Sequence, residues 1–191
     1  MSLTPSTMLD LDTKAPYFKL KDTNNNEVTI EDFNDKKVLL VAFICNHCPY
    51  VMHIRDQFLK FVDDYQGKNI GIVGINSNDP EANPDDSFEY MVIYAKKYNY
   101  KFPYLYDETQ EVAKAYRAAC TPDFFLFDKE RKLVYRGQFD DSRPSNDIPI
   151  TGKDLREAVD MVLSDKKVYI EQKPSMGCNI KWKPGNEPDY Y

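Results

Sequence analysis

Apolar and polar positions along this chain fall into two periods. KKVLLVAFI, residues 36–44, is a continuous apolar run rich in Val and Leu, the pattern of a strand covered on both faces. IGIVGINS, residues 70–77, repeats it, and PDFFLFD, residues 122–128, reads as a further strand. Between the first two, VMHIRDQFLKFVDDY places Val51, Ile54, Phe58, Phe61 and Val62 at three- and four-residue steps. That spacing predicts an amphipathic helix.

Weaker patterns fill in the rest. APYFKL sets Tyr17 and Lys19 against Phe18 and Leu20, a short strand; DTNNNEV is a turn, and VTIEDF a second short strand running into a brief helix. A helix is expected from about Asp85 to Tyr98, a strand in KFPYLYD, and a helix in ETQEVAKAY. KERKLVYRGQF reads as a turn and hairpin partner, residues 140–151 as an exposed loop, and GKDLREAVDMVLSDK as the last helix. The order β-α-β-α-β-β-α implies an α/β fold, with a mixed central sheet flanked by helices. Residues 1–14 read as a loose leader, 15–167 as one domain, and 168–191 as a tail packed on it.

Composition narrows the function classes. The 191 residues suffice for one sizeable core. A net charge of −6 with no basic block argues against nucleic acid and anionic lipid as partners. The best apolar run, VLLVAFIC, has eight residues, far short of the ~20 that span a bilayer. MSLTPSTMLDLDTK has neither the charged region nor the apolar stretch of a secretory signal, so a cytoplasmic location is expected. There, a CxxC is catalytic or metal-binding more often than structural.

Such a pair stands in FICNHCPYV: Cys45 and Cys48, with His47 between them and Pro49 behind. The pair lies at the C-terminal end of a buried strand and the start of a helix, where open α/β sheets gather their chemistry. Free N–H groups at a helix start favour a thiolate, and the spacing lets one sulfur close on the other. Pro49 fits the first helical turn, which puts the helix start near Cys48. An imidazolium at His47 would stabilise a thiolate. Exchange chemistry requires that both sulfurs be reachable from solvent. Two other readings stand beside it. One is inert packing. The other is a soft-metal site of Cys45, Cys48 and His47, with a fourth ligand from Cys120, Cys178 or another chain.

ACTPDFFLFD holds further candidates. A cis bond at Thr121–Pro122 would bring a bare backbone edge beside the pair, where an extended substrate segment could align. Asp123 reads as an exposed strand start or as a proton relay. Cys120 reads as a third thiol or a packing group. Cys178 follows Gly177, which allows a tight approach, and Lys181 and Trp182 would dock that segment over the site; Cys178 is then resolving or structural. His53 falls off the motif's face. Asp85, Asp86 and Glu89 read as first-turn acids matched to a helix dipole.

APYFKLKDTNNNEVTIEDFNDKKVLLVAFICNHCP is similar to the N-terminal half of peroxiredoxins and of membrane-tethered thiol reductases. ACTPDFFLFDKERKLVYRGQFDD and PSMGCNIKWK resemble the proline loop, hairpin and C-terminal signature of the same group. Over residues 15–183 the chain resembles the thioredoxin-fold superfamily, specifically a peroxiredoxin-like (AhpC/TSA-like) branch with a CxxC. The resemblance implies a thioredoxin-like fold with an N-terminal β-hairpin extension. It implies that Cys45 attacks a substrate disulfide and Cys48 resolves, beside Thr121 and Pro122. It departs from the family pattern at Ile44, where thioredoxins carry tryptophan. Cys45 also takes the place of the peroxiredoxin threonine, and Pro122 falls where its arginine stands. Two groups that would orient peroxide are thus missing.

The resulting expectation is a thiol–disulfide oxidoreductase acting on a disulfide-bearing protein, with no cofactor and no metal. A separate thioredoxin- or glutathione-like thiol donor would supply electrons, and a homodimer is compatible with the sequence. The first rival is a thiol peroxidase in which Cys48 attacks peroxide and Cys45, Cys120 or Cys178 resolves. The second is a non-catalytic binding protein or soft-metal protein.

Overall fold

The computed structural model describes residues 3–190. Its first half runs β1 (Leu3–Pro5), β2 (Lys19–Asp22), β3 (Glu27–Thr29), β4 (Val38–Phe43), α1 (Pro49–Tyr65), β5 (Ile70–Asn76) and α2 (Phe88–Lys97). Then follow β6 (Tyr104–Tyr106), α3 (Glu111–Ala115), β7 (Cys120–Thr121), β8 (Asp123–Phe127), β9 (Leu133–Gly137), α4 (Lys153–Leu163) and β10 (Met176–Asn179).

A seven-stranded sheet has the order β3-β2-β6-β5-β4-β8-β9. β4 pairs parallel with β5, Val38 opposite Ile70 and Phe43 opposite Ile75, and antiparallel with β8. Along β4, Val38, Leu40 and Ala42 pack with the apolar stripes of α1 and α4. Leu39, Val41 and Phe43 pack on the other face with Val112 and Ala113 of α3 and with Tyr116. Two buried faces explain why β4 is apolar at every position. This is the expected α/β thioredoxin-like fold, with the β2–β3 hairpin as its N-terminal extension.

α1 begins as its sequence predicts. Cys48 is the N-cap residue, still extended at φ −69°, ψ 123°, and Pro49 opens the helix. Val51, Ile54, Phe58, Phe61, Val62 and Tyr65 form the buried stripe, which clamps the N-terminal end of α1 over the C-terminal end of β4.

Several expectations need correction. The first short strand runs from Lys19 to Asp22, further along than APYFKL suggests. The helix expected from Asp85 is split: Pro84–Asp86 make a separate 3-10 turn, and Ser87 caps α2 by accepting from the Tyr90 N–H. The leader is not loose, since Leu3–Pro5 pairs with the tail. β1, β10 and β7 make a second, antiparallel sheet, with Thr4 opposite Gly177 and Cys178 opposite Thr121. Trp182 does not cover the cysteine pair; it packs with the β4 face that carries Phe43. β7 passes directly through Pro122 into β8, and the Thr121–Pro122 bond is cis.

Candidate functional site

The CNHC loop leaves β4 at the sheet's C-terminal edge and meets the β7–Pro122 corner. The Cys45 Sγ and the Thr121 hydroxyl share a hydrogen bond at 3.2 Å. The Cys48 thiol, when protonated, has the Thr121 carbonyl 3.2 Å away as its acceptor. Cys178 lies opposite Thr121 on β10 and joins Cys45 and Cys48 in one buried cluster. Gly177 makes this closeness feasible: a Cβ there would stand 1.9 Å from the Thr121 oxygen.

The three thiols share hydrogen bonds, and this splits their acidities. The Cys48 pKa is lowered, chiefly because Cys178 and then Cys45 donate to its thiolate; the Val51 amide at the start of α1 and the Cys178 amide add to this. Cys45 is pushed up by burial, by donating to Cys48, and by the charge of Asp86. Cys178 is pushed up by donating to Cys48 and by burial. Of the three thiols, Cys48 is thus the one whose pKa is lowered, whereas the family resemblance implied Cys45 as the attacking sulfur.

None of the three cysteines is open to solvent. Cys45 is 2 % exposed, Cys48 0 % and Cys178 3 %. The expectation of a freely reachable pair is thus not met, and Cys178 of β10 is buried in the same cluster.

A buried carboxylate organises the loop. Asp86 accepts the Asn46 N–H at 2.7 Å and the Asn78 Nδ2 at 2.8 Å, and it holds His47 Nδ1 in a short hydrogen bond. Asn46 also donates to the Asp85 carbonyl at 2.8 Å and accepts from the Tyr104 hydroxyl at 3.1 Å. Asp86 does lie in the first turn of the Pro84–Asp86 3-10 helix, but it is fully buried and holds the CNHC loop, a role that its reading as a first-turn acid missed. Nothing in DPEANPDDS marks it out, because Asn46, His47 and Asn78 come from other segments.

Donor atoms of Cys45, His47 and Asp86 lie within 4.8 Å of one another. This differs from the soft-metal set considered as an alternative, with Asp86 in place of Cys48. One Asp86 carboxylate oxygen already accepts from His47 and Asn78, and the other from the Asn46 N–H. Asp86 and His47 Nδ1 are thus engaged within the protein, and Cys45 with Thr121. His47 Nε2 is buried and has no hydrogen-bond partner among the described residues.

The other candidates separate from this centre. Thr121 points its side chain at Cys45, so Cys120, its strand neighbour, faces the other way. Cys120 packs beside the carbonyls of Pro122 and Ser175, and burial raises its pKa. Asp123 is not an exposed strand start. It is fully buried, one carboxylate oxygen lacks a partner among the described residues, and burial pushes its pKa well up. His53 is a satisfied histidine, with Nε2 2.8 Å from the Ser142 hydroxyl.

Residues 11–155 match the model of the Redoxin family. The chain belongs to the redoxin family. It is similar to a crystal structure of an uncharacterized conserved protein from Geobacillus kaustophilus, with a TM-score of 0.95 and 50 % identity covering 97 % of this chain and 98 % of that one. A hypothetical protein from Sinorhizobium meliloti gives a TM-score of 0.94 and 53 % identity, covering 95 % and 100 %. The thiol-disulfide oxidoreductase ResA of Geobacillus thermodenitrificans is 26 % identical over 132 residues, 68 % of this chain and 70 % of ResA. Among the described residues, no helix is long and apolar enough to cross a membrane.

Proposed function

We infer that this redoxin exchanges thiols for disulfides, with Cys48 as the attacking sulfur and Cys45 as the resolving one. The observation that carries this reading is the placement of Cys48 at the N-cap of α1, clustered with Cys45 and Cys178, where their shared hydrogen bonds lower its pKa. The Cys48 thiolate attacks a substrate disulfide and forms a mixed disulfide, releasing one substrate thiolate. Cys45 then gives up its proton and attacks the Cys48 sulfur, which frees the second substrate thiol. His47, fixed by Asp86, stands next to Cys45 and serves as the local proton acceptor. Thr121 and the cis Pro122 form the backbone edge against which an extended segment aligns once β10 has moved aside.

The reading needs no cofactor. It assigns a disulfide-bearing protein as substrate, a thioredoxin- or glutathione-like thiol as donor, and the cytoplasm as compartment. ResA of Geobacillus thermodenitrificans is a thiol-disulfide oxidoreductase, which supports a reading in this class. The test is turnover of a protein disulfide such as insulin by wild type and by Cys48→Ser. Wild-type turnover that the variant loses supports the reading. Folded wild-type protein with no turnover contradicts it.

A second reading places the chain in a peroxiredoxin-like (AhpC/TSA-like) branch, with Cys48 attacking peroxide. Cys48-Pro49 at a helix start, with a lowered thiol pKa, favours it. Pro122 at the position of the peroxiredoxin arginine weighs against it, since no guanidinium there would stabilise the leaving oxygen. Peroxide consumption faster than insulin reduction, and abolished in Cys48→Ser, would select this reading.

A further inference from the structure

The backbone edge beside the cysteine pair is already occupied by the chain's own β10. In an antiparallel ladder, directly opposed residues carry their side chains on the same face. Cys178 opposes Thr121, whose hydroxyl touches Cys45 and whose carbonyl faces Cys48. The register therefore aims the Cys178 sulfur at the CxxC. The tight approach of Gly177 to Thr121 holds it there. β10 thus lies as an extended peptide would lie, and it brings a cysteine to the reacting sulfur. Cys120, one residue back on β7, opposes Asn179 and lies outside this cluster.

We propose that Cys178 is a third redox thiol, which closes a disulfide with Cys48 after Cys48 has taken up a substrate sulfur. This rests on the thiol–disulfide reading above. The Cys48 thiolate attacks R–S–S–R′, forming Cys48–S–S–R and releasing R′S⁻. β10 moves aside to admit the substrate and then pairs again with β7. Cys178 attacks the Cys48 sulfur; the Cys48–S–R bond breaks, RS⁻ leaves, and it takes up the proton of the Cys178 thiol. Two protein thiols are oxidised and one external disulfide becomes two thiols. Cys45 competes for the same bond, so Cys48 is a shared sulfur with two resolving partners.

The test uses the full reduced chain and cystamine as the disulfide. Trypsin leaves Cys45 and Cys48 together in peptide 38–55 and Cys178 in peptide 168–181. In Cys45→Ala, cystamine is expected to join 38–55 to 168–181 through Cys48 and to release two cysteamines per chain. In the Cys45→Ala, Cys178→Ser double variant, one cysteamine stays on Cys48, and the mixed disulfide lasts at least roughly tenfold longer, since its neighbouring attacker is gone. Wild type gives a direct readout if a variant fails to fold: the joined peptide, with the bond located by fragmentation, appears beside the internally linked 38–55. The proposal is overturned if Cys45→Ala retains cysteamine on Cys48 with Cys178 free, or if wild type yields only internally linked 38–55. Both of those outcomes leave the Cys45–Cys48 reading standing. If no variant forms any mixed disulfide at Cys48, the proposal and that reading fall together.

Discussion

Gly177→Ala tests whether β10 is what closes the site. The new Cβ would lie 1.9 Å from the Thr121 oxygen and 2.6 Å from its carbon, where contacts under 3.0 Å essentially do not occur. Backbone cannot give as a flexible side chain can, so β10 must withdraw from β7 by about 1 Å. That loosens the pairing of Cys178 with Thr121 and of Asn179 with Cys120, together with the Cys178–Cys48 contact. Two or three hydrogen bonds at about 1 kcal/mol each make the closed state about 2–3 kcal/mol less favourable. The open population then rises about 30- to 150-fold. The assay is the rate at which iodoacetamide alkylates peptide 38–55 in the native protein, with urea unfolding as a control for global stability. Alkylation faster by that factor, with most of the global stability kept, is the expected result. An unchanged rate in a folded variant would refute the assignment of β10 as the cover.

Other expected outcomes follow from the same contacts. Asp86→Ala leaves the buried Asn46 amide and Asn78 side chain without their acceptor and should cost about 2–5 kcal/mol in urea unfolding; a loss under ~1 kcal/mol would mean that the loop is held by other contacts. Burial raises the Asp123 pKa above its unfolded value, so the native state holds that proton more tightly and wild type loses stability as pH rises past the unfolded pKa of about 4. Asp123→Asn should therefore match wild type near pH 4 and exceed it increasingly above, by up to about 1.4 kcal/mol per pH unit; parallel stability curves would contradict the buried, unpaired placement. Reduced native protein at neutral pH should show the ultraviolet absorbance of one thiolate, lost in Cys48→Ser and on denaturation. Loss in Cys45→Ser but not in Cys48→Ser would reverse the assigned roles.

The parts of the fold legible in the sequence are those whose cause is local. β4 and β5 are buried on both faces and read as apolar runs, and α1 shows its buried stripe and its proline-led start. The CxxC at the strand–helix junction is visible for the same reason. What escapes is set by distant partners. Leu3–Pro5 and Met176–Asn179 have no alternation of their own and are strands only because they pair with each other and with β7. Asp86 becomes a structural centre only when Asn46, His47 and Asn78 converge on it. The covering of Cys48 and the approach of Cys178 depend on a register between residues 121 and 178, which no local pattern encodes. The lowered pKa of Cys48 depends on that same register, since Cys178 is its main hydrogen-bond donor.

The most direct measurement is the redox equilibrium of Cys178→Ser in a series of glutathione buffers, read as the mass of tryptic peptide 38–55. With Cys178 removed, only the Cys45–Cys48 bond can form within this cluster. A peptide two hydrogens lighter is expected at high disulfide ratios, restored to the dithiol as the thiol ratio rises, with the protein folded throughout. A folded protein whose peptide 38–55 keeps both thiols free at every ratio would contradict it.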